Sequence, residues 1–396
     1  MKKKLAPGDQ TKTTHLGRNP ALFHGSVNPP VYHTSTVLFP TMADFEASYT
    51  RRAEFGQLRY GRFGTPTSFA FEEAIAELEG GHASITVPSG LAAATTAMLA
   101  FLSSGDHLLM TDSAYYPTRR YCENILSRLG IDTTYYDPLL GSNIEQLIQP
   151  NTRVIFLESP GSLTFEVQDV PAIAKVAKQH GIKVILDNTW ATPLLFKSFQ
   201  HGVDISIHAA TKYIVGHADA MLGVMIANQE SFKALQFCAH QCGLCVGSDD
   251  IYLGLRGLRT LAVRLAQHHQ QAMSLIEWLS NRPEVARILY PALPSDPGYQ
   301  IWQRDFLGAS GLFGVVLNEF PKKAVANMLD GMSLFKMGAS WGGFESLVIP
   351  AYPDKFRIAP RWQAEGPLLR LHAGLEDLAD LITDLEQGFL RLNAAS

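Results

Sequence analysis

The sequence predicts an α/β fold: a large domain on a mostly parallel sheet, followed by a smaller α+β domain. Three observations carry that expectation. From about residue 63 to 255, short apolar runs alternate with amphipathic stretches of helical period, the pattern of sheet strands covered by helices. Two of those runs lead into chemistry-bearing residues. Val184-Ile-Leu-Asp187 stops at a carboxylate, and Val203-Asp-Ile-Ser-Ile-His208 is followed by Thr211-Lys212; ligands of such sheets gather at the carboxyl ends of strands. Finally, 396 residues are too many for one ordinary core and suit two packed domains.

Taken in order, residues 1–62 are irregular, with Pro and Gly throughout, and no helical pattern precedes Ala43. This segment is expected to be an extended arm that wraps a partner subunit. Residues 63–255 form the large domain. Its expected strands are Ser84–Val87, His107–Met110, Val154–Leu157, Val184–Leu186, Val203–Ile207 and Leu222–Ile226. Between them lie amphipathic runs such as Phe69–Leu78, Leu91–Leu102 and Val170–His180. Asp249 to about Leu279 reads as a long helix with Leu253, Leu258, Leu261 and Leu265 on one face and an Arg-rich start. Residues 256–396 form the smaller domain, with strands Gly311–Leu317 and Leu368–His372 and a closing helix Glu376–Leu392 whose acidic start suits the helix dipole.

Composition excludes several classes of function. The chain is 46% hydrophobic and 18% charged, with a net charge of -4 and a pI of about 6.4. Neither nucleic acid nor an anionic membrane surface is suggested as a partner. Met1-Lys-Lys-Lys4 is not followed by an apolar segment, so a secretory signal is not expected, and no apolar run reaches spanning length. Four cysteines make no disulfide framework; a reducing cytoplasm fits. Cys238, Cys242 and Cys245 have a spacing that iron–sulfur enzymes use, but the plainer reading is packing cysteines, and no metal is expected.

An aspartate at one strand end and a lysine after a later one suit pyridoxal phosphate chemistry. The lysine amine forms a Schiff base with the aldehyde, and the carboxylate keeps the pyridine nitrogen protonated. Other stretches add to the set. Ser89-Gly90-Leu91 opens an Ala-rich helix whose free amides suit a phosphate. Tyr115 follows a strand and can stack on a ring. Arg62 has the fork that phosphate accepts, and Arg370 lies inside an apolar strand, where a charge requires a partner or a ligand. Each has a plain structural alternative (a turn, a cap, a half-buried ring, an internal ion pair); it is their ordered combination that points to one chemistry.

That combination resembles the fold-type-I pyridoxal phosphate enzymes of transsulfuration. The resemblance runs through Tyr60-Gly-Arg62, Leu78-Glu-Gly80, Ser89-Gly90, Ala114-Tyr115, Glu158-Ser-Pro160, Asp187-Asn-Thr189, Thr211-Lys212-Tyr213, Gly216-His217, Gly257-Leu-Arg-Thr260 and Arg370-Leu-His372. It implies pyridoxal 5'-phosphate as cofactor, with Lys212 as its covalent anchor and as the base at Cα. Asp187 would pair with the pyridine nitrogen and Tyr115 would stack on the ring. Gly90, Leu91 and Thr211 would hold the phosphate, and Tyr60 and Arg62 would reach the phosphate in a neighbouring subunit. Arg370, with Ser340 and Trp341 nearby, would hold the substrate's α-carboxylate. A homo-oligomer is implied, a tetramer built from dimers that share active sites, acting on an amino-acid thioether.

Trp190, Ser340-Trp341 and Ala209-Ala-Thr-Lys212 resemble the β-lyase branch, which splits cystathionine to homocysteine, pyruvate and ammonia in methionine biosynthesis. Where that branch has a second basic residue after the loop arginine, this chain has Phe63. A cysteine or cystine lyase, γ-elimination or γ-replacement on the same scaffold, and cofactor binding without turnover are the other readings.

Overall fold

A computed structural model describes residues 7–50, 56–363 and 366–395. Residues 1–6 and 51–55 of the expected arm lie outside the described residues. The larger sheet contains β1 (Ala83–Val87), β2 (His107–Thr111), β3 (Asp132–Tyr136), β4 (Thr152–Glu158), β5 (Lys183–Asp187), β6 (Ile205–His208) and β7 (Gly223–Ala227), in the order β1-β7-β6-β5-β4-β2-β3. From β6 to β3 every pairing is parallel, whereas β7 runs antiparallel to both its neighbours. The central strands are apolar because helices cover both faces, leaving no wet side on which to alternate.

The second sheet is antiparallel. It holds β8 (Val285–Leu289), β9 (Leu312–Leu317), β10 (Leu347–Ala351) and β11 (Leu368–His372), ordered β10-β11-β9-β8. The helix Ser248–Ser280 leads into it, running unbroken through residues 255 and 256 and burying Leu258, Leu261 and Leu265. Arg264 of this helix donates to the carbonyls of Tyr213 at 2.7 Å and Gly257 at 2.9 Å, so it holds the turn that follows Lys212. One apolar core is continuous from Leu157 and Leu186 of the larger sheet to Phe313 and Leu369 of the smaller.

The amino-terminal segment differs from expectation. Asp9–His15 is a helix although its sequence, Asp-Gln-Thr-Lys-Thr-Thr-His, has no apolar stripe. It is held through its backbone instead: Arg259 donates to the carbonyls of Thr13 at 2.9 Å and Leu16 at 2.7 Å. Lys197 pairs with Asp9 at 2.7 Å. This part of the segment therefore docks on its own chain.

A buried carboxylate ties together the strand ends that will matter most. Glu79, at the end of the helix Pro66–Glu79, is fully buried. It accepts from Asn188 at 2.9 Å, Ser206 at 2.7 Å, His208 at 3.1 Å and the Ser198 hydroxyl. Burial pushes its pKa up, but His208 and the hydroxyls of Ser198 and Ser206 outweigh that and hold it below the usual carboxylate range. Asn188 follows β5 and His208 ends β6, so Glu79 fixes the spacing of the two strands that lead to Asp187 and Lys212. Glu79→Ala leaves buried donors and a histidine without their acceptor, a class of change costing about 3–5 kcal/mol. A fall of that size in urea-unfolding free energy is expected; a change below about 1 kcal/mol would contradict this role.

Candidate active site

The parallel register sets Glu158, the last residue of β4, directly beside Asp187, the last residue of β5. Enclosure raises the pKa of both carboxyls. For Glu158, held well above its usual range, the nearby Asp187 charge adds to burial. For Asp187, burial is opposed by hydrogen bonds from Thr189 and by the positive charges of His208 and Lys212. Thr189 donates to Asp187 Oδ1 through its amide at 3.0 Å and also through its hydroxyl. Its hydroxyl oxygen accepts the amide of Ala209 at 2.8 Å, which links the end of β5 to the Lys212 turn. Among the described residues no group donates to Asp187 Oδ2.

Lys212 lies in the turn after β6. Its Nζ donates to Ser340 Oγ at 2.8 Å and lies 5.7 Å from the centre of the Trp341 ring. Burial first, then the charge of Arg370, pulls its pKa down to about 8 against the pull of Asp187. Arg370, in β11, is 8% exposed and donates to the Ser340 carbonyl at 2.9 Å. No carboxylate of the described residues pairs with it, and burial lowers its pKa to about 10. A buried guanidinium without a counter-ion beside a cavity is a receptor for an anion.

Tyr115 follows β2, and its amide donates to Glu158 Oε2 at 2.7 Å. The ring is half exposed, and the phenol's pKa is raised by burial and by Glu158, with Arg370 opposing and Asp187 adding. Thr211, Met221, Ser340, Trp341 and Gly343 line a cavity of about 490 Å³. The Thr211 hydroxyl donates to the Leu222 carbonyl at 3.1 Å and accepts its amide at 2.9 Å, so its proton is directed at the main chain. Tyr60 and Arg62 lie elsewhere. They line a second cavity that shares no lining residue with the first, and Arg62 donates to the carbonyl of His240 at 2.8 Å.

The arrangement fits pyridoxal 5'-phosphate. The helix Gly90–Leu99 begins beside the Lys212 turn: a Cβ on Gly90 would lie 2.4 Å from that of Ala209. Only glycine admits this approach, and it leaves the first-turn amides of Gly90 and Leu91 facing outward, where a phosphate is stabilised. Ser89 caps the turn by accepting the Ala92 amide at 3.1 Å. The undonated oxygen of Asp187 suits a protonated ring nitrogen, and Lys212 supplies an amine. Gly90→Val fills the cradle; the purified variant is expected to retain under a tenth of the wild-type cofactor after gel filtration, and full retention would contradict this placement.

Asp187, Lys212, Tyr115, Arg370, Ser340 and Trp341 are thus brought together, Gly90 and Leu91 lie against the Lys212 turn, and Tyr60 and Arg62 stand apart. Glu158 and Thr189 had no role in the sequence reading, although they fall within its motifs. The signal for Glu158 was available: β4 ends its apolar run on a carboxylate just as β5 does. Cys238, Cys242 and Cys245 are free, and among the described residues no three metal-ligating side chains converge.

Fold and site together define an α/β enzyme built around a half-buried lysine, a carboxylate with one undonated oxygen and a helix start packed against the lysine turn. Residues 10–390 match the family described as Cys/Met metabolism PLP-dependent enzyme, and the chain belongs to it. It is 48% identical over 391 residues to a putative cystathionine beta-lyase of Rhizobium johnstonii, with 98% of this chain and 97% of that one covered. It is 45% identical over 388 residues to cystathionine beta-lyase MetC of Escherichia coli, covering 96% and 98%. An L-alanine/L-glutamate racemase of Wolbachia pipientis is 42% identical over 380 residues, covering 93% and 94%. Among solved structures, metB from Corynebacterium glutamicum superposes with a TM-score of 0.89 at 30% identity, covering 98% and 99%.

Proposed function

We propose that the chain catalyses β-elimination of L-cystathionine, giving homocysteine, pyruvate and ammonia. One observation carries the reading. Ser340 holds the Lys212 amine with its hydroxyl and the Arg370 guanidinium with its carbonyl. A base and a carboxylate receptor are thereby fixed to one residue, which is what Cα chemistry on an amino acid requires. The branch is supported by Trp190 and Trp341 and by relatives that bear the β-lyase name.

In this reading Gly90 and Leu91 would hold the cofactor's phosphate, Tyr115 would stack on its ring and Asp187 would accept from its ring nitrogen. Bound there, the cofactor supplies an electron sink for the pair left at Cα. Arg370 binds the substrate α-carboxylate and so orients Cα–H toward Lys212. Lys212 Nζ takes that proton, with Ser340 holding the amine in place. The β-sulfur leaves as a thiol, and the three-carbon fragment hydrolyses to pyruvate and ammonia. Glu158 positions the backbone of Tyr115.

Tyr60 and Arg62 complete the site of a second copy, so the working unit is a homodimer or a tetramer of such dimers. Among the described residues no helix is long and apolar enough to cross a membrane; a cytoplasmic enzyme of methionine biosynthesis is the reading that fits.

Removal of the Cα proton is shared with racemisation, so the test must separate the two. The holoenzyme is given L-cystathionine with a lactate dehydrogenase couple, and L-alanine in parallel with chiral analysis. Sustained pyruvate release from cystathionine is expected. D-Alanine formation without pyruvate from cystathionine would overturn the lyase reading.

A further inference from the structure

Tyr115 stands at the tip of a short loop, and one buried carboxylate closes that loop. The residues after β2 run Asp112-Ser-Ala-Tyr115 and continue into the helix Tyr116–Tyr121. A helix of six residues is marginal by itself, and the rings of Tyr115 and Tyr116 are both half exposed. The tip is held from behind. Arg119, within that helix, donates back to the Asp112 carbonyl at 3.0 Å and to carboxylate oxygen Oδ1. The Tyr115 carbonyl accepts the amides of Thr118 at 2.9 Å and Arg119 at 3.2 Å. Asp112 and Arg119 are 0% and 1% exposed, so water screens their attraction little.

The same carboxylate receives the segment that follows β10. Its Oδ2 accepts from Arg357 Nε at 3.0 Å and from the amides of Ile358 at 2.7 Å and Ala359 at 2.6 Å. Arg119 Nη2 donates to the Phe356 carbonyl at 2.8 Å, and the Phe356 ring lies 5.0 Å from that of Tyr116. Arg357 is itself buried, and its Nη1 donates to Glu166 Oε1 and Thr164 Oγ1, both at 2.8 Å. Two guanidiniums thus face two carboxylates. A buried ion cluster adds little stability over apolar side chains of similar size; what these donors supply is a fixed geometry. In β10, Ile349 lies opposite Arg370 of β11. Asp112 therefore connects the loop that carries Tyr115 with the strand pair that carries Arg370.

We propose that Asp112, Arg119 and Arg357 are positioning residues for the reaction: they latch the segment after β10 to the Tyr115 loop and thereby set the Tyr115 ring against the cofactor. The proposal rests on the placement of Tyr115 at the cofactor ring and is independent of which thioether is cleaved. The latch acts through Tyr115, so its loss matters to the cofactor only while the Tyr115 ring is present.

The test is a double-mutant cycle read in the rate at which pyridoxal 5'-phosphate is released from diluted holoenzyme. Arg357→Gln is expected to raise that rate about 10-fold, the size of one lost charged hydrogen bond. It is also expected to weaken the visible circular-dichroism band of the bound cofactor, which reports how the ring is held. Arg357→Lys keeps the charge without the fork and is expected to recover part of both. In the Tyr115→Ala background, Arg357→Gln is expected to change neither, because the ring it positions is gone. The same factor in both backgrounds would overturn the proposal and make Arg357 a structural residue, as would an unchanged release rate in Arg357→Gln. If Arg357→Gln does not fold, Arg357→Lys runs the same cycle, with a smaller factor and the same criteria. Tyr115→Ala that holds its cofactor as wild type does would overturn the placement of Tyr115 and the proposal with it. Faster release from Tyr115→Ala, with the Arg357 effect undiminished, would overturn this proposal alone.

Discussion

Lys212→Ala is expected to lower kcat for pyruvate release by at least about four orders of magnitude, the upper range for loss of a positioned general base. The size follows from what the fold does to this amine. With its pKa brought down to about 8, roughly a quarter of the amine is unprotonated at pH 7.5, against about one part in a thousand for an ordinary lysine. Burial is the largest cause and the Arg370 charge the next. The environment therefore prepares a base where an exposed lysine would be an acid. Arginine at the position keeps the charge but remains protonated, so it is expected to be as inactive as alanine. Added methylamine is expected to rescue part of the activity of Lys212→Ala, because a small amine can occupy the space beside Ser340. A variant with a tenth or more of wild-type activity would refute Lys212 as the base.

Arg370→Leu is expected to reduce kcat/KM by about 30- to 3000-fold, the cost of removing one partner from a buried charge pair. The larger share should appear in KM. Stability is expected to behave differently. Arg370 is a buried cation with no carboxylate partner among the described residues, so removing it relieves a desolvation cost and the urea midpoint should be no lower than that of wild type. A structural arginine would show the reverse, destabilisation with little specific loss of substrate affinity. There is also a pH signature. Because the Arg370 charge helps to depress Lys212, the Lys212 pKa in cofactor-free Arg370→Leu is expected to lie above the wild-type value of about 8. Amine-reagent labelling against pH would read that shift, and a downward shift would contradict the arrangement.

The strand ends were legible because a buried strand announces itself as an apolar run, and a polar residue that stops it lands on one edge of the sheet. Asp187 and Lys212 could be placed that way, and so could the helix Ser248–Ser280, whose leucines keep their period over many turns. What escaped lies at edges or depends on distant partners. β3, Asp-Thr-Thr-Tyr-Tyr, is an edge strand with a polar sequence, and β10 contains a proline, as an edge strand can. The helix Asp9–His15 is stabilised by Arg259, some 240 positions away. Local pattern carries no information about such contacts. The Lys212–Ser340 hydrogen bond spans 128 positions and the Glu79–Asn188 bond 109; only resemblance to a family could bring Ser340 and Arg370 to the lysine before the structure did. That no carboxylate of the described residues pairs with Arg370 became visible only once its neighbours were in place.

The most direct measurement is identification of both products of L-cystathionine turnover by mass spectrometry, using the cofactor-loaded wild-type protein. Pyruvate with homocysteine is the expected pair, as the similarity to relatives that bear the β-lyase name implies. 2-Oxobutyrate with cysteine would contradict the account, because it would mean that the γ-carbon–sulfur bond breaks.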